Sequence, residues 1–194
     1  MPRRRIGLLG GSFNPAHEGH RHVSLEALKR FDLDEIWWLV TPQNPLKSVA
    51  GMAPFEERLS QARAFVRDRR IRVLDLEKEL GTTYTADTIA ALRALYPRQL
   101  FVWLMGADNL AQIRHWQHWQ TIFTRVPIAV FARPTYCQRA LAELAAQRFA
   151  RARVMPPARG LAAMNPPAWV FLPTRLDPSS ATEIRSHRGI LSRR

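Results

Sequence analysis

The residues best placed to do chemistry lie close to the N-terminus, in Gly10-Gly11-Ser12-Phe13-Asn14-Pro15-Ala16-His17-Glu18-Gly19-His20. Two adjacent glycines let a backbone approach a phosphate closely. A helix opening just beyond them turns free N–H groups and a positive dipole end toward that anion. His17 and His20 are three residues apart, so on a first helical turn they share a face and point into one crevice. The segment reads as a phosphate cradle armed with two imidazoles. Two other uses of the histidines stay open, a metal pair and a helix-capping turn; an H-x-x-H pair lacks the acidic or cysteine partners that zinc expects nearby. Neither a Walker A loop nor G-x-G-x-x-G occurs, which argues against a P-loop NTPase and a dinucleotide oxidoreductase.

A cradle of this kind needs a strand before it and a helix after it, and the chain supplies both. Ile6 to Gly10 reads as a first strand, and Glu18 to Phe31 as an amphipathic helix. Short apolar runs then alternate with helical periodicity: strands at Glu35 to Val40, Ile71 to Leu74, Leu100 to Met105, Ile128 to Phe131 and Trp169 to Leu172; helices from Pro54 to about Arg67, over Tyr84 to Tyr96, in two short stretches astride Trp116, at about Gln138 to Ala150 and at Ala181 to Arg188. Val154 to Pro167, rich in Pro, Gly and Ala, reads as loop. This is the pattern of a single α/β domain, Rossmann-like, with a mainly parallel sheet flanked by helices. Ligands of such sheets bind beyond the carboxyl ends of the strands. The polar segments Gly11 to His20, Thr41 to Lys47, Gly106 to Asp108 and Arg133 all follow predicted strands, and Ser179 to Arg185 opens the last helix.

Composition narrows the class. At 194 residues one domain suffices, and folding buries roughly 70% of the surface of an unfolded chain of such length. With 46% hydrophobic and 23% charged residues the chain is neither fibrous nor disordered. The longest apolar runs fall far short of the roughly 20 residues that span a bilayer. The segment after Met1-Pro2-Arg3-Arg4-Arg5 is too short and too glycine-broken for a secretory signal, so no membrane partner and a cytoplasmic location are expected. The single cysteine, Cys137, has no second thiol for a disulfide and reads as a small apolar residue. A net charge of +13 suits nucleic acid, an anionic surface or a polyphosphate alike. Only Lys29, Lys47 and Lys78 are lysines, and the arginines read as scattered, so nucleic acid is not the expected partner.

The string from Gly10 to His20 resembles the G-G-(T/S)-F-(D/N)-P-x-H-x-G-H start of the nicotinate-mononucleotide adenylyltransferases, and His17-x-Gly19-His20 the (T/H)-x-G-H signature of their nucleotidyltransferase superfamily. Further segments match in order. Thr41-Pro42-Gln43-Asn44-Pro45-Leu46-Lys47 is similar to the family's P-x-x-x-P-x-K loop. Gly81 to Thr88 resembles its S-Y-T-x-D-T element, where a plain N-cap by Thr85 is the competing reading. Met105 to Leu110 followed by Trp116 resembles its G-A-D to W stretch. Ser179-Ser180-Ala181-Thr182-Glu183-Ile184-Arg185 is similar to I-S-S-T-x-(I/L)-R. Ser179 and Ala181 depart from that pattern, and the alanine has no hydroxyl to offer where the family has a serine; a simple N-cap competes here too.

The resemblance implies a role for each matched residue. ATP would meet Gly10, Gly11, Ser12, Phe13, His17, His20, Gly106, Asp108, Ser180, Thr182 and Arg185, with Mg2+ accompanying it. Nicotinate mononucleotide would meet Asn14, Lys47, Tyr84, Thr85, Trp116, Gln117 and Arg133, the ring stacking on Trp116 and its carboxylate taking backbone N–H groups. His17, His20, Lys47 and Arg185 would supply the catalytic positive field, with no protein metal site. The implied reaction gives nicotinate adenine dinucleotide and pyrophosphate. The alternatives are another adenylyltransferase, such as a phosphopantetheine adenylyltransferase, and, from a different class, a basic nucleic-acid-binding domain. Oligomeric state is left open, a homo-oligomer included.

Overall fold

Parallel strands covered on both faces are continuous apolar runs, and the strands of this chain have that form. The computed structural model describes residues 3–43, 51–132 and 137–173. Among these, β1 (Arg5–Gly11), β2 (Glu35–Val40), β3 (Ile71–Leu74), β4 (Leu100–Gly106), β5 (Ile128–Phe131), β6 (Arg153–Val154) and β7 (Trp169–Leu172) form one sheet in the order β3-β2-β1-β4-β5-β7-β6. Every neighbouring pair is parallel, with Ile6 opposite Glu35 on one side of β1 and Phe101 on the other.

Side chains alternate across the pleat and build two cores. Leu8, Leu39, Trp103 and Val130 face one layer with α3 (Leu76–Glu79), α4 (Thr85–Leu95), α5 (Ala107–Gln112), α6 (Trp119–Arg125), α7 (Cys137–Ala142) and α8 (Leu144–Arg148). Leu9, Trp38, Val40 and Leu104 face the other, with α1 (Glu18–Arg30) and α2 (Phe55–Phe65). Strand order reverses between β1 and β4, so their carboxyl ends flank the crevice where such sheets bind ligands.

Several expectations are corrected. The helix foreseen over 138 to 150 breaks at Glu143, whose backbone is extended. Ala140, Ala145 and Ala146 are all buried while Leu144 is 54% exposed. An unbroken helix would turn 144 rather than 145 and 146 toward the side of 140, so the break serves the core. The segment from Val154 to Pro167 is not wholly loop: Val154 pairs with Val170, and a 3-10 turn at Leu161–Ala163 buries Leu161 and Ala162. One turn of helix, α3, stands where no element was foreseen. Pro54 caps α2 rather than starting it. The last helix expected over 181 to 188 lies outside the described residues, as does the side chain of Cys137.

Candidate active site

The turn after β1 is shaped by what surrounds it. A Cβ at Gly10 would come within 2.6 Å of the Trp103 ring, so only glycine lets that indole lie across the strand. Phe13 takes a left-handed backbone conformation (φ 46°) and is buried, 4.9 Å from the Trp38 ring and 4.6 Å from the His20 ring. The buried Asn14 side chain donates to the Gly51 carbonyl (3.1 Å) and accepts from the Ala53 N–H (3.2 Å).

The capping turn left open above is realised. His17 is the N-cap of α1, outside its first turn, and its Nδ1 accepts from the Gly19 N–H at 3.1 Å. The His17 N–H in turn donates to Nδ1 of His20 at 3.2 Å. The two rings lie 3.8 Å apart; His17 is 4% exposed and His20 half-buried. A neutral imidazole whose Nδ1 accepts carries its proton on Nε2. Capping therefore fixes both rings in the tautomer that offers Nε2–H, a donor suited to phosphate oxygen.

Arg58 holds the loops around the turn. It is 1% exposed and sits on the inward side of α2. Its guanidinium donates to the carbonyls of Ser12 (2.6 Å), Thr41 (2.9 Å), Pro42 (2.7 Å) and Ala53 (2.9 Å). Burial pulls its pKa below the ordinary arginine value. No carboxylate takes part in these four bonds, whose acceptors are all backbone carbonyls.

A cavity of about 280 Å³ opens at the reversal of strand order. Its walls are Gly10, Gly11 and Ser12 after β1, Thr41 after β2, Glu77 on α3 and Trp103 on β4. Thr83, Tyr84 and Thr85 at the start of α4 close one side; Asn109, His115, Trp116 and Gln117 close another. The indoles of Trp103 and Trp116 meet edge to face, 6.4 Å apart at 86°. Glu77 is 4% exposed, and burial pushes its carboxyl up to about 7 against the opposing hydrogen bond from the Thr41 hydroxyl. Thr85, the first residue of α4, lines this cavity, and its N–H has no intrahelical acceptor.

The cytidylyltransferase-like family model matches residues 8–187. A protein of Cereibacter sphaeroides named "Probable nicotinate-nucleotide adenylyltransferase" is 55% identical over 181 residues, 93% of this chain and 96% of its own. The chain belongs to the nicotinate-nucleotide adenylyltransferase family. A relative of the same name from Parvibaculum lavamentivorans is 50% identical over 97% of this chain and 94% of its own. The fold is also that of the nicotinic acid mononucleotide adenylyltransferase of Plasmodium falciparum complexed with NaAD, with a TM-score of 0.72 at 19% identity over 95% of this chain and 83% of that one.

Of the residues the family resemblance singles out, Gly10, Gly11, Ser12, Tyr84, Thr85, Trp116 and Gln117 line the cavity. Phe13, Asn14, His17 and His20 form the adjoining turn and cap, while Gly106 and a half-buried Asp108 join β4 to α5 beside the lining Asn109. Lys47, Arg133, Ser180, Thr182 and Arg185 lie outside the described residues. Thr85 does not cap α4: Tyr84 holds that position without a side-chain bond, and Thr88 instead donates to the Tyr84 carbonyl (3.2 Å) and pairs with Thr82 (2.8 Å). His115 is exposed and stands on the cavity wall; Trp119 is ordinary packing against Phe123 and Phe149.

Sequence reasoning missed Glu77, Trp103 and Arg58. Glu77 sits in Asp75-Leu76-Glu77-Lys78-Glu79, which looks like a solvated charge run, and Trp103 looks like strand core. Arg58 did carry a signal: it shares a helix face with Phe55, Leu59 and Ala62, where an apolar residue is expected.

Proposed function

We propose that this protein transfers the adenylyl group of ATP to nicotinate mononucleotide, giving nicotinate adenine dinucleotide and pyrophosphate. The observation that carries the reading is the cavity at the β1/β4 reversal, walled by the glycine turn and Trp116, in a chain half-identical to relatives named for this reaction.

The acceptor's 5′-phosphate has its second pKa near 6, so its oxygen is already a nucleophile at neutral pH. That oxygen attacks the α-phosphorus of ATP; the new P–O bond forms as the bond to the β-phosphate breaks, and pyrophosphate leaves with the electron pair. No covalent enzyme intermediate and no general base are required. Catalysis is then positioning plus stabilisation of charge on the phosphate oxygens. His17 and His20 serve as Nε2–H donors, and the turn from Gly10 to Phe13 cradles the phosphates. Lys47, Ser180, Thr182 and Arg185 add donors and positive charge. Asp108 beside Gly106 accepts from nucleotide hydroxyls. Trp116 stacks on the pyridine ring, the backbone N–H groups at Thr85 and Gln117 take its carboxylate, and Asn14, Tyr84 and Arg133 complete the acceptor side.

Among the described residues no group of three or more His, Cys, Asp or Glu could hold a metal ion. A Mg2+ accompanying ATP would be held chiefly by the triphosphate oxygens and would neutralise charge on the leaving pyrophosphate. Among the described residues no helix is long and apolar enough to cross a membrane. The test is pyrophosphate release with ATP and three acceptors: nicotinate mononucleotide, nicotinamide mononucleotide and phosphopantetheine. Release is expected to be fastest with the first; release with phosphopantetheine alone would reassign the enzyme.

A further inference from the structure

Two residues of the cavity lining each carry a buried side-chain atom with no hydrogen-bond partner among the described residues: Oε2 of Glu77 and the indole Nε1 of Trp103. Buried polar groups in native proteins nearly always have partners, so an unsatisfied pair on one cavity points to a ligand. Thr41 serves the carboxyl with one hydroxyl, and burial raises it to about 7. Among the described residues no Lys or Arg pairs with it. The neighbouring lysine, Lys78, turns outward to Glu56 at 2.7 Å; Arg63 is taken by Asp75 at 3.5 Å.

The cavity that Glu77 lines is also walled by the two perpendicular indoles of Trp103 and Trp116. Indole faces attract positive charge through their quadrupole and stack on flat rings. A carboxylate among such rings is the arrangement that recognises a flat organic cation. The acceptor proposed above contains one: its ring nitrogen is bonded to ribose and carries a permanent positive charge.

We propose that Glu77 is the counter-charge of the pyridinium ring, a specificity-determining residue that separates a cationic acceptor ring from an uncharged ring of the same outline. This rests on the acceptor reading of the cavity. Thr41, just past the end of β2, serves part of the carboxyl and leaves Oε2 without a partner among the described residues. A carboxylate that merely bound ribose hydroxyls would be indifferent to the charge on the ring, and so would one that only braced α3.

The test compares equilibrium binding of nicotinate mononucleotide and its 1,4-dihydro form, whose ring is neutral, to the wild type and to Glu77→Gln, at pH 8 with a non-hydrolysable ATP analogue present. Wild type is expected to prefer the pyridinium form by about tenfold, the scale of one favourable cation contact. Glu77→Gln should weaken that form about tenfold while moving the dihydro form less than about twofold, since the amide keeps the shape and removes the charge. The wild-type preference is a readout that does not depend on the variant folding. Equal weakening of both forms, or no change in either, overturns the proposal. If wild type binds neither nucleotide, the acceptor reading itself falls and takes this proposal with it.

Discussion

In the proposed reaction His17 and His20 do two jobs with different nitrogens. Nδ1 of each ring accepts a backbone N–H at the start of α1, which leaves the proton of a neutral ring on Nε2, the donor that the proposed reaction directs at phosphate. Losing His20 removes one arm of the capping box, a cost of about 1 kcal/mol that a folded domain survives. Losing a donor to developing charge costs far more in rate, about 10²- to 10³-fold. His20→Ala should therefore lower kcat by about that factor and change pyridine-nucleotide affinity less than about threefold, read by steady-state kinetics beside equilibrium binding; unchanged turnover would remove His20 from the chemistry. Glu77 gives a prediction for stability. Its folded pKa of about 7 stands above the ordinary 4.5, so between those values the unfolded chain binds fewer protons than the native one and stability falls as pH rises. Glu77→Gln lacks this loss. Its stability relative to wild type should rise by about 2 to 3 kcal/mol between pH 5 and pH 8, measured by urea unfolding at both values; a constant difference would show that the carboxyl is not desolvated.

At the scale of elements, Arg58 decides how the ends of β1 and β2 meet. Four carbonyls from three segments converge on its guanidinium. Arg58→Met keeps the stem and orphans the acceptors, so it should cost about 3 kcal/mol or more, while Arg58→Lys should recover only part because an ammonium lacks the planar fork. Chemical denaturation of both variants checks this; a loss under about 1 kcal/mol in Arg58→Met would mean that the loops hold themselves. Elements also show what could be read in the sequence. Strands such as Glu35–Val40 and Ile128–Phe131 match their expected bounds because double-sided burial makes them unbroken apolar runs. The break at Glu143 and the burial of Leu161 were illegible, since both follow from where Ala145, Ala146 and Leu161 find a neighbouring surface, which is tertiary information. The site divides in the same way. Gly10 to Ser12, Tyr84, Thr85 and Trp116 were legible through motif spacing, whereas Glu77 became visible only when α3 turned it inward.

Across the whole molecule, part of the positive charge is gathered rather than scattered. Arg63, Arg67, Arg69, Arg70 and Arg72 gather where α2 leads into β3, an edge strand of the sheet. Three of them meet carboxylates: Arg63 with Asp75 (3.5 Å), Arg70 with Asp68 (2.7 Å) and Arg72 with Glu35 (3.7 Å). Such exposed pairs add little stability, but charge on an edge strand blocks pairing with another sheet. Part of the basic excess thus has a structural use that needs no nucleic acid. The larger consequence of the topology is that the glycine turn, the histidine cap and the tryptophan-walled cavity all sit at the reversal between β1 and β4. If the proposed reaction is right, ATP and acceptor meet there. A crystal structure with a non-hydrolysable ATP analogue and nicotinate mononucleotide is the sharpest test. The α-phosphate is expected beside the Gly10–Ser12 turn, within hydrogen-bond reach of Nε2 of His17 or His20, and the pyridine ring against Trp116. Nucleotide bound at another edge of the sheet, with both imidazoles out of reach of phosphate, would refute this placement and the reaction built on it.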